Sequence, residues 1–376
     1  MDESALPTRS SAPNPFVSVP EALEELRRGR MVIVVDDEDR ENEGDLVIAA
    51  EHVTPEAVNF MALHGRGLIC LSLTGERCDS LCLPQISGDN TSKFGTAFCE
   101  SVDAREGTTT GISAQDRART IRQAVDPNCR PSDLARPGHI FPLRARSGGV
   151  FARQGQTEAS VDLARLAGLD PSGVICEIMN DDGTMARVPD LREFCQRHAL
   201  RMTSVAELIR YRLATECIVT RTEDASVETE FGPFRAVSYH SQIDQNVHFA
   251  LMRGNPAGSS RVPARAQLRC SLSDSLAVMA CGCARSIRLS LKRIAEENLG
   301  VLVYLQQAGN SRHCSGKGTG ALPVQDSFAR YENIIAARIL SDLGVRTVLE
   351  MTGGAGATAL AESCGVEIAG QVCLEC

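Results

Sequence analysis

Residues 31–50 read MVIVVDDEDRENEGDLVIAA. Met31–Val35 is a short apolar run of the kind that forms a buried strand, and Leu46–Ala50 resumes the apolar character after the break. The ten residues between them, Asp36–Asp45, hold seven carboxylates and one arginine. Like charges packed this closely repel one another unless something positive neutralises them. A hard divalent cation does so, because magnesium accepts carboxylate and water oxygens and often a substrate oxygen as well. A solvated surface loop accounts for the composition equally well. Position favours a site: loops at the carboxyl ends of buried strands are common ligand sites in α/β proteins, and Gly44 permits a tight turn. Arg40, inside the run, would bind substrate or brace the acids.

Working outward, Pro20–Gly29 (PEALEELRRG) predicts a short amphipathic helix stopped by Gly29. Thr54–His64 (TPEAVNFMALH) predicts another, with Thr54 as N-cap and Pro55 in the first position. A strand is expected within Gly67–Leu73, and the alternation of short buried strands with helices recurs to Arg212, closing on the helical segment Ser204–Leu213. The fold class expected is α+β or layered α/β. Residues 1–15 read as a disordered tail, 16–213 as the first domain, 214–228 as a linker and 229–376 as a second α+β domain. A chain of 376 residues has room for both, since single cores rarely grow past roughly 250–300 residues.

The formal charge of −9 argues against nucleic acid or a membrane surface as partner, both being anionic. It leaves a small anionic substrate open. No apolar stretch is long enough to span a membrane, and the polar tail Met1–Pro15 lacks the apolar centre of a signal peptide. Fifteen scattered cysteines in such a chain read as free thiols or a metal site rather than a disulfide framework. The cytoplasm is the default compartment.

The acidic run extended to DDEDRENEGDLV, with Gly107–Arg117 (GTTTGISAQDR), Arg136–Arg146 (RPGHIFPLRAR), Gly148–Ala159 (GGVFARQGQTEA) and Gly173–Leu191 (GVICEIMNDDGTMARVPDL), resembles 3,4-dihydroxy-2-butanone 4-phosphate synthase across most of residues 16–212. The resemblance implies a riboflavin-pathway lyase that converts D-ribulose 5-phosphate to 3,4-dihydroxy-2-butanone 4-phosphate and formate with Mg2+ or Mn2+, and a homodimer. Carried over by position, Glu41 matches the metal-ligating glutamate, and Arg40 and Asp45 match substrate contacts. His139 and Glu177 match proton-transfer residues, and Arg153 and Thr157 the segment that holds the substrate, where a guanidinium and a hydroxyl suit a phosphate. One position departs. The family's second metal ligand is a histidine in Gly-His-Thr-Glu-Ala, where this chain has Gln156. An amide oxygen remains acceptable to magnesium, but it cannot cycle a proton as imidazole does. Slower ordinary turnover, a related reaction on another ketose phosphate, and a non-catalytic scaffold each follow from that change. A smaller departure is Cys99-Glu100.

Residues 229–376 resemble a worn GTP cyclohydrolase II. The traces are Phe231–Phe234, His248–Gly254, Gly300–Leu305, Ala337–Gly344, and Cys270 with Cys281 and Cys283 at the spacing of that family's three zinc ligands. Three thiolates and a water would make an open zinc site. The family's Arg-Gln-Glu-Gly-Arg string is Gln306–Asn310 here, and its catalytic Asp and Arg fall at Ala329 and Tyr331. The guanidiniums a triphosphate would need are gone, so no GTP cyclohydrolase activity is expected.

Overall fold

The two apolar runs flanking the acidic segment form Val32–Val35 (β1) and Gly44–Ala49 (β2), buried along their whole length and paired antiparallel, with Val34 opposite Asp45. The structure is a computed structural model that describes residues 15–270, 282–306, 329–353, 357–358, 360 and 364–374. Two compact units divide the chain, Met1–Tyr211 and Arg212–Cys376. The tail assigned to residues 1–15 lies outside the described residues except for Pro15.

Before β1 runs α1 (Val19–Arg27), opened by a Ser18–Glu21 capping box and followed by Gly29 at φ 71°. After β2 come α2 (Pro55–Phe60), capped by Thr54 Oγ1 accepting the Ala57 amide at 3.2 Å and prolonged by a wider π turn over Met61–Gly65. The remaining elements are β3 (Cys70–Leu73), α3 (Gly75–Ser80), β4 (Val102–Ala104), α4 (Ala114–Val125), β5 (Leu134–Arg144), α5 (Gln156–Leu166), β6 (Gly173–Glu177), α6 (Val188–His198), β7 (Arg201–Ser204) and α7 (Val205–Thr215). The mixed sheet orders β4-β5-β3-β6-β2-β1-β7.

Because strand side chains alternate in direction, each buried strand feeds two cores. Ile33, Val35, Leu46 and Ile48 pack with Val58, Ile121 and Leu191 of α2, α4 and α6 on one face. Val32, Val34, Val47 and Ile175 pack with Leu23, Leu163 and Leu208 of α1, α5 and α7 on the other. The result is a three-layer helix–sheet–helix unit. It explains why these strands read as continuous apolar runs rather than as alternating ones.

The second unit is built on an eight-stranded mixed sheet formed by β8 (Val219–Thr229), β9 (Gly232–Ser241), β10 (Val247–Arg253), β11 (Val262–Leu268), β12 (Gly300–Leu305), β13 (Thr347–Thr352), β14 (Ala357–Thr358) and β15 (Glu367–Cys373), with α8 (Cys283–Glu297) and α9 (Ala329–Asp342). Ile294 of α8 packs with Phe234, Leu302 and Met351. The segment 214–228 expected as a linker is instead the end of α7 and most of β8, an edge strand paired along its length with β9. Its side chains are mostly exposed, so it lacks the buried periodicity that marks a strand in sequence. Among the described residues no helix is long and apolar enough to cross a membrane.

Candidate active site

The acidic loop is organised around one of its own carboxylates. Asp36, buried at the end of β1, accepts the Glu43 amide at 2.8 Å, the Glu41 amide at 3.1 Å and Arg40 Nη1 at 2.7 Å. From the N-cap of α6, Arg187 Nη1 donates to the Glu41 carbonyl at 2.8 Å and also to that of Asn42. Asp37, Glu38 and Asp39 face solvent, whereas Glu41 and Glu43 are half-buried and turn inward. The run is therefore partly a solvated loop and partly a site, and its two readings divide along the chain.

On the neighbouring strand, Asp45 stands directly opposite Glu177 in the β2–β6 ladder. Both carboxylates project from the α5 face of the sheet, the face of Val47 and Ile175. Burial raises the proton affinity of Asp45 well above the ordinary carboxylate range, and the charges of Glu177, Glu41, Glu43 and Asp36 push it the same way. Burial raises Glu177 too, partly offset by its own amide and that of Leu68, which donates to Oε2 at 2.8 Å. Glu43 is raised by burial and by Glu41. Asp45 and Glu177 form one coupled acid pair that holds a proton more tightly than two isolated carboxyls. Gly67 lets Glu177 lie there: a Cβ at that position would come 2.5 Å from Glu177 Oε2 and 2.6 Å from its carbonyl oxygen.

His139 comes from β5, beyond β3 in the same sheet. Cys70 of β3 pairs with Ile175 of β6 and with Phe141 of β5. Before Cys70 the register with β6 shifts by one residue, so that Arg66 bridges Ile178 and Gly67 lies against Glu177. By strand alternation from Phe141, which packs against the α5-side core, His139 lies on the α5 face of β5. Its Nδ1 meets Asp103 Oδ2 at 2.7 Å, and its backbone amide donates to Asp103 Oδ1 at 3.0 Å. A carboxylate at Nδ1 selects the tautomer with the proton there and leaves Nε2 as acceptor.

The start of α5 closes the site. Arg40 Nη1 reaches Asp36 Oδ2, Glu41 Oε2 at 2.8 Å and Gln156 Oε1 at 3.1 Å, while its guanidinium carbon stands 5.4 Å from the Phe94 ring centre. Its Nη2 is buried with no hydrogen-bond partner among the described residues. A Cβ on Gly155 would fall 2.3 Å from Arg153 Nη1 and 2.9 Å from Arg40 Nη2, so the two guanidiniums flank a bare backbone at the helix start. Arg153 is heavily engaged: Nε donates to the Phe94 carbonyl at 3.1 Å, Nη1 to Glu158 Oε2 at 2.7 Å and Nη2 to Thr96 Oγ1 at 2.8 Å. Thr157 and Gln156 are buried in the first turn of α5.

Among the described residues no three His, Cys, Asp or Glu converge closely enough to cage a metal. Mutually repelling carboxylates beside an open edge fit an ion held through one or two of them, with substrate and water completing its shell, which is how magnesium commonly binds. In the second unit Cys270 and Cys283 are buried, while Cys281 lies outside the described residues, as do residues 307–310.

The structure brings Arg40, Glu41, Asp45, Gln156, Thr157, Glu177 and His139 to one face of one sheet, with Arg153 behind the helix start. Sequence reasoning missed Asp36 as organiser of the loop, although it begins the acidic run. It also missed Asp103 and Arg187, which carry no local signal.

The family model of 3,4-dihydroxy-2-butanone 4-phosphate synthase matches residues 20–211, and that of GTP cyclohydrolase II matches residues 220–373. The riboflavin biosynthesis protein RibBA of Aquifex aeolicus is 47% identical over 95% of this chain and 92% of its own length. The 3,4-dihydroxy-2-butanone 4-phosphate synthase of Photobacterium phosphoreum is 44% identical over 94% of this chain and 98% of its own. Among solved structures, RibBX of A. baumannii, a two-domain 3,4-dihydroxy-2-butanone 4-phosphate synthase, aligns with TM-score 0.74 at 38% identity over 95% of this chain and 99% of that one. A 3,4-dihydroxy-2-butanone 4-phosphate synthase in complex with two magnesium ions aligns with TM-score 0.51 at 44% identity over 53% of this chain and 98% of its own. The chain belongs to the 3,4-dihydroxy-2-butanone 4-phosphate synthase family, lyases of riboflavin biosynthesis, and joins that domain to one of the GTP cyclohydrolase II type.

Proposed function

We propose that the first domain converts D-ribulose 5-phosphate to 3,4-dihydroxy-2-butanone 4-phosphate and formate in a magnesium-dependent reaction. The observation that carries this reading is Asp45 opposite Glu177, a buried and a half-buried carboxyl with raised proton affinity beside Glu41. Such a pair takes a proton from one sugar carbon and returns it to the next, the step that makes and collapses an enediol. His139, its tautomer fixed by Asp103, serves as the second proton carrier through Nε2. Arg40 and the first amides of α5 receive the phosphate at the bare backbone of Gly155, where a guanidinium and a helix start both favour an anion. A bound magnesium ion supplies Lewis-acid polarisation of the substrate's oxygens. The solved relative that holds two magnesium ions supports that choice of metal.

The second domain, on this reading, performs no GTP cyclohydrolase chemistry. Its buried Arg265 is spent on Gln267 Oε1 and on the carbonyls of Met351 and Gly353 at 2.9–3.1 Å. The buried His248 accepts the Gln306 amide at 3.1 Å and faces Asp244 at 3.2 Å, ties that hold strands together. We further expect a homodimer. Purified protein with ribulose 5-phosphate and magnesium should release formate, and release should vanish in Glu41→Ala. No formate from the unaltered chain overturns the reading, as does formate from GTP for the second domain. Light scattering reads the dimer directly.

A further inference from the structure

We propose that Gln156, which stands where the family places a metal-ligating histidine, positions Arg40 in this chain and does not ligate the metal. The inference rests on the magnesium-dependent synthase reading above. Both ends of the carboxamide are taken up by groups whose hydrogen-bonding roles are unambiguous. Arg40 Nη1 only donates, and it reaches Oε1 at 3.1 Å. The Glu43 carbonyl only accepts, and it lies 3.5 Å from Nε2. A flipped amide would set its NH2 against a guanidinium and its oxygen against a carbonyl, so the orientation is fixed by chemistry. The side chain is 4% exposed and starts α5, so its backbone is held by the helix.

The consequence lies with Arg40. Its Nη1 is shared among Asp36, Glu41 and Gln156. When Glu41 turns to a cation, Asp36 and Gln156 still hold the guanidinium, with one charge rather than two beside it. Its unpartnered Nη2 then stays aimed at the space beside Gly155. A neutral acceptor at position 156 therefore frees Glu41 for the metal and keeps Arg40 ready for the substrate's phosphate. Imidazole committed to a metal would leave Arg40 without that third anchor.

The test uses the full chain and two probes that need no turnover: Mn2+ alone, counted by electron paramagnetic resonance, and inorganic phosphate, followed by calorimetry. In Gln156→Leu, Mn2+ affinity should stay within threefold while phosphate affinity falls tenfold or more. With substrate the same variant should raise KM about tenfold and lower kcat less than threefold. A tenfold loss of Mn2+ affinity in Gln156→Leu overturns the proposal, as does unchanged phosphate affinity. Gln156→Met replaces it if the leucine variant fails to fold. An unaltered chain that releases no formate overturns the synthase reading, whereas the Mn2+ and phosphate titrations still decide this one.

Discussion

Asp103 grips His139 twice, its Oδ2 at 2.7 Å from the ring Nδ1 and its Oδ1 at 3.0 Å from the backbone amide. The second contact keeps the residue in place if the first is altered. Asp103→Asn should therefore leave the fold intact while its amide donates to Nδ1 and moves the ring proton to Nε2. Loss of a correctly protonated acid–base group costs about 10²–10⁴ in rate. We expect kcat to fall within that range with KM little changed, and a kcat within threefold of the unaltered enzyme would show that His139 does not need this tautomer.

Asp45 should cost the protein stability. Its folded proton affinity is raised by burial and by Glu177, so the folded state binds more protons than the unfolded one above the ordinary carboxylate pKa. Stability then falls as pH rises from that value through the raised one, and stays low beyond it. Asp45→Asn removes the charged form. With chelator present, its melting temperature should exceed that of the unaltered chain at pH 8, by more than at pH 4.5, while formate release is lost. A gap that is equal at both pH values would count against the coupled pair.

Arg153 holds a buried partner. Glu158 is 1% exposed, and burial raises its proton affinity even with the guanidinium beside it. Removing one member of a buried pair strands the other at a cost of about 3–5 kcal/mol. Arg153→Met should lower the melting temperature by roughly 10 °C for a unit of this size, and Arg153→Met with Glu158→Leu should recover more than half of that. An unchanged melting temperature in the single variant would make Arg153 a surface contact only.

Magnesium should stabilise the fold as well as enable turnover. Binding to the folded state alone adds about 2.7 kcal/mol at a ligand concentration 100 times Kd. We expect saturating Mg2+ to raise the melting temperature of the unaltered chain, and chelator to reverse the rise. Glu41→Ala should abolish it. A full shift in that variant would move the metal away from Glu41.

Much of the scaffold could be read from local pattern. The flanks of the acidic run, the helix opened by Thr54 and the helix stopped by Gly29 depend on neighbours a few residues away, and each lies where it was expected. Val219–Thr229 escaped because an exposed edge strand buries nothing periodic. At the site, the resemblance supplied Glu41, Asp45, His139 and Glu177 as separate residues. Their relation was hidden, since Asp45 meets Glu177 only through strand pairing that local periodicity does not encode. Asp103 was invisible for the same reason: a single acid on a three-residue strand has no periodicity to betray it. The occupation of Arg153 by Glu158, Thr96 and Phe94 likewise depends on tertiary packing.

The ladder between β2 and β6 also acts as a reading frame. Strand side chains alternate, so a slip of one residue would place Cys176 or Ile178 opposite Asp45 and turn Glu177 into the core of Val58 and Ile121. That single displacement would bury a carboxylate among hydrocarbons and expose an apolar side chain to the substrate. A misaligned chain would thus be rejected by its own packing before it could act as a poor catalyst. Quality control of folding and fidelity of the reaction are one and the same constraint in this sheet.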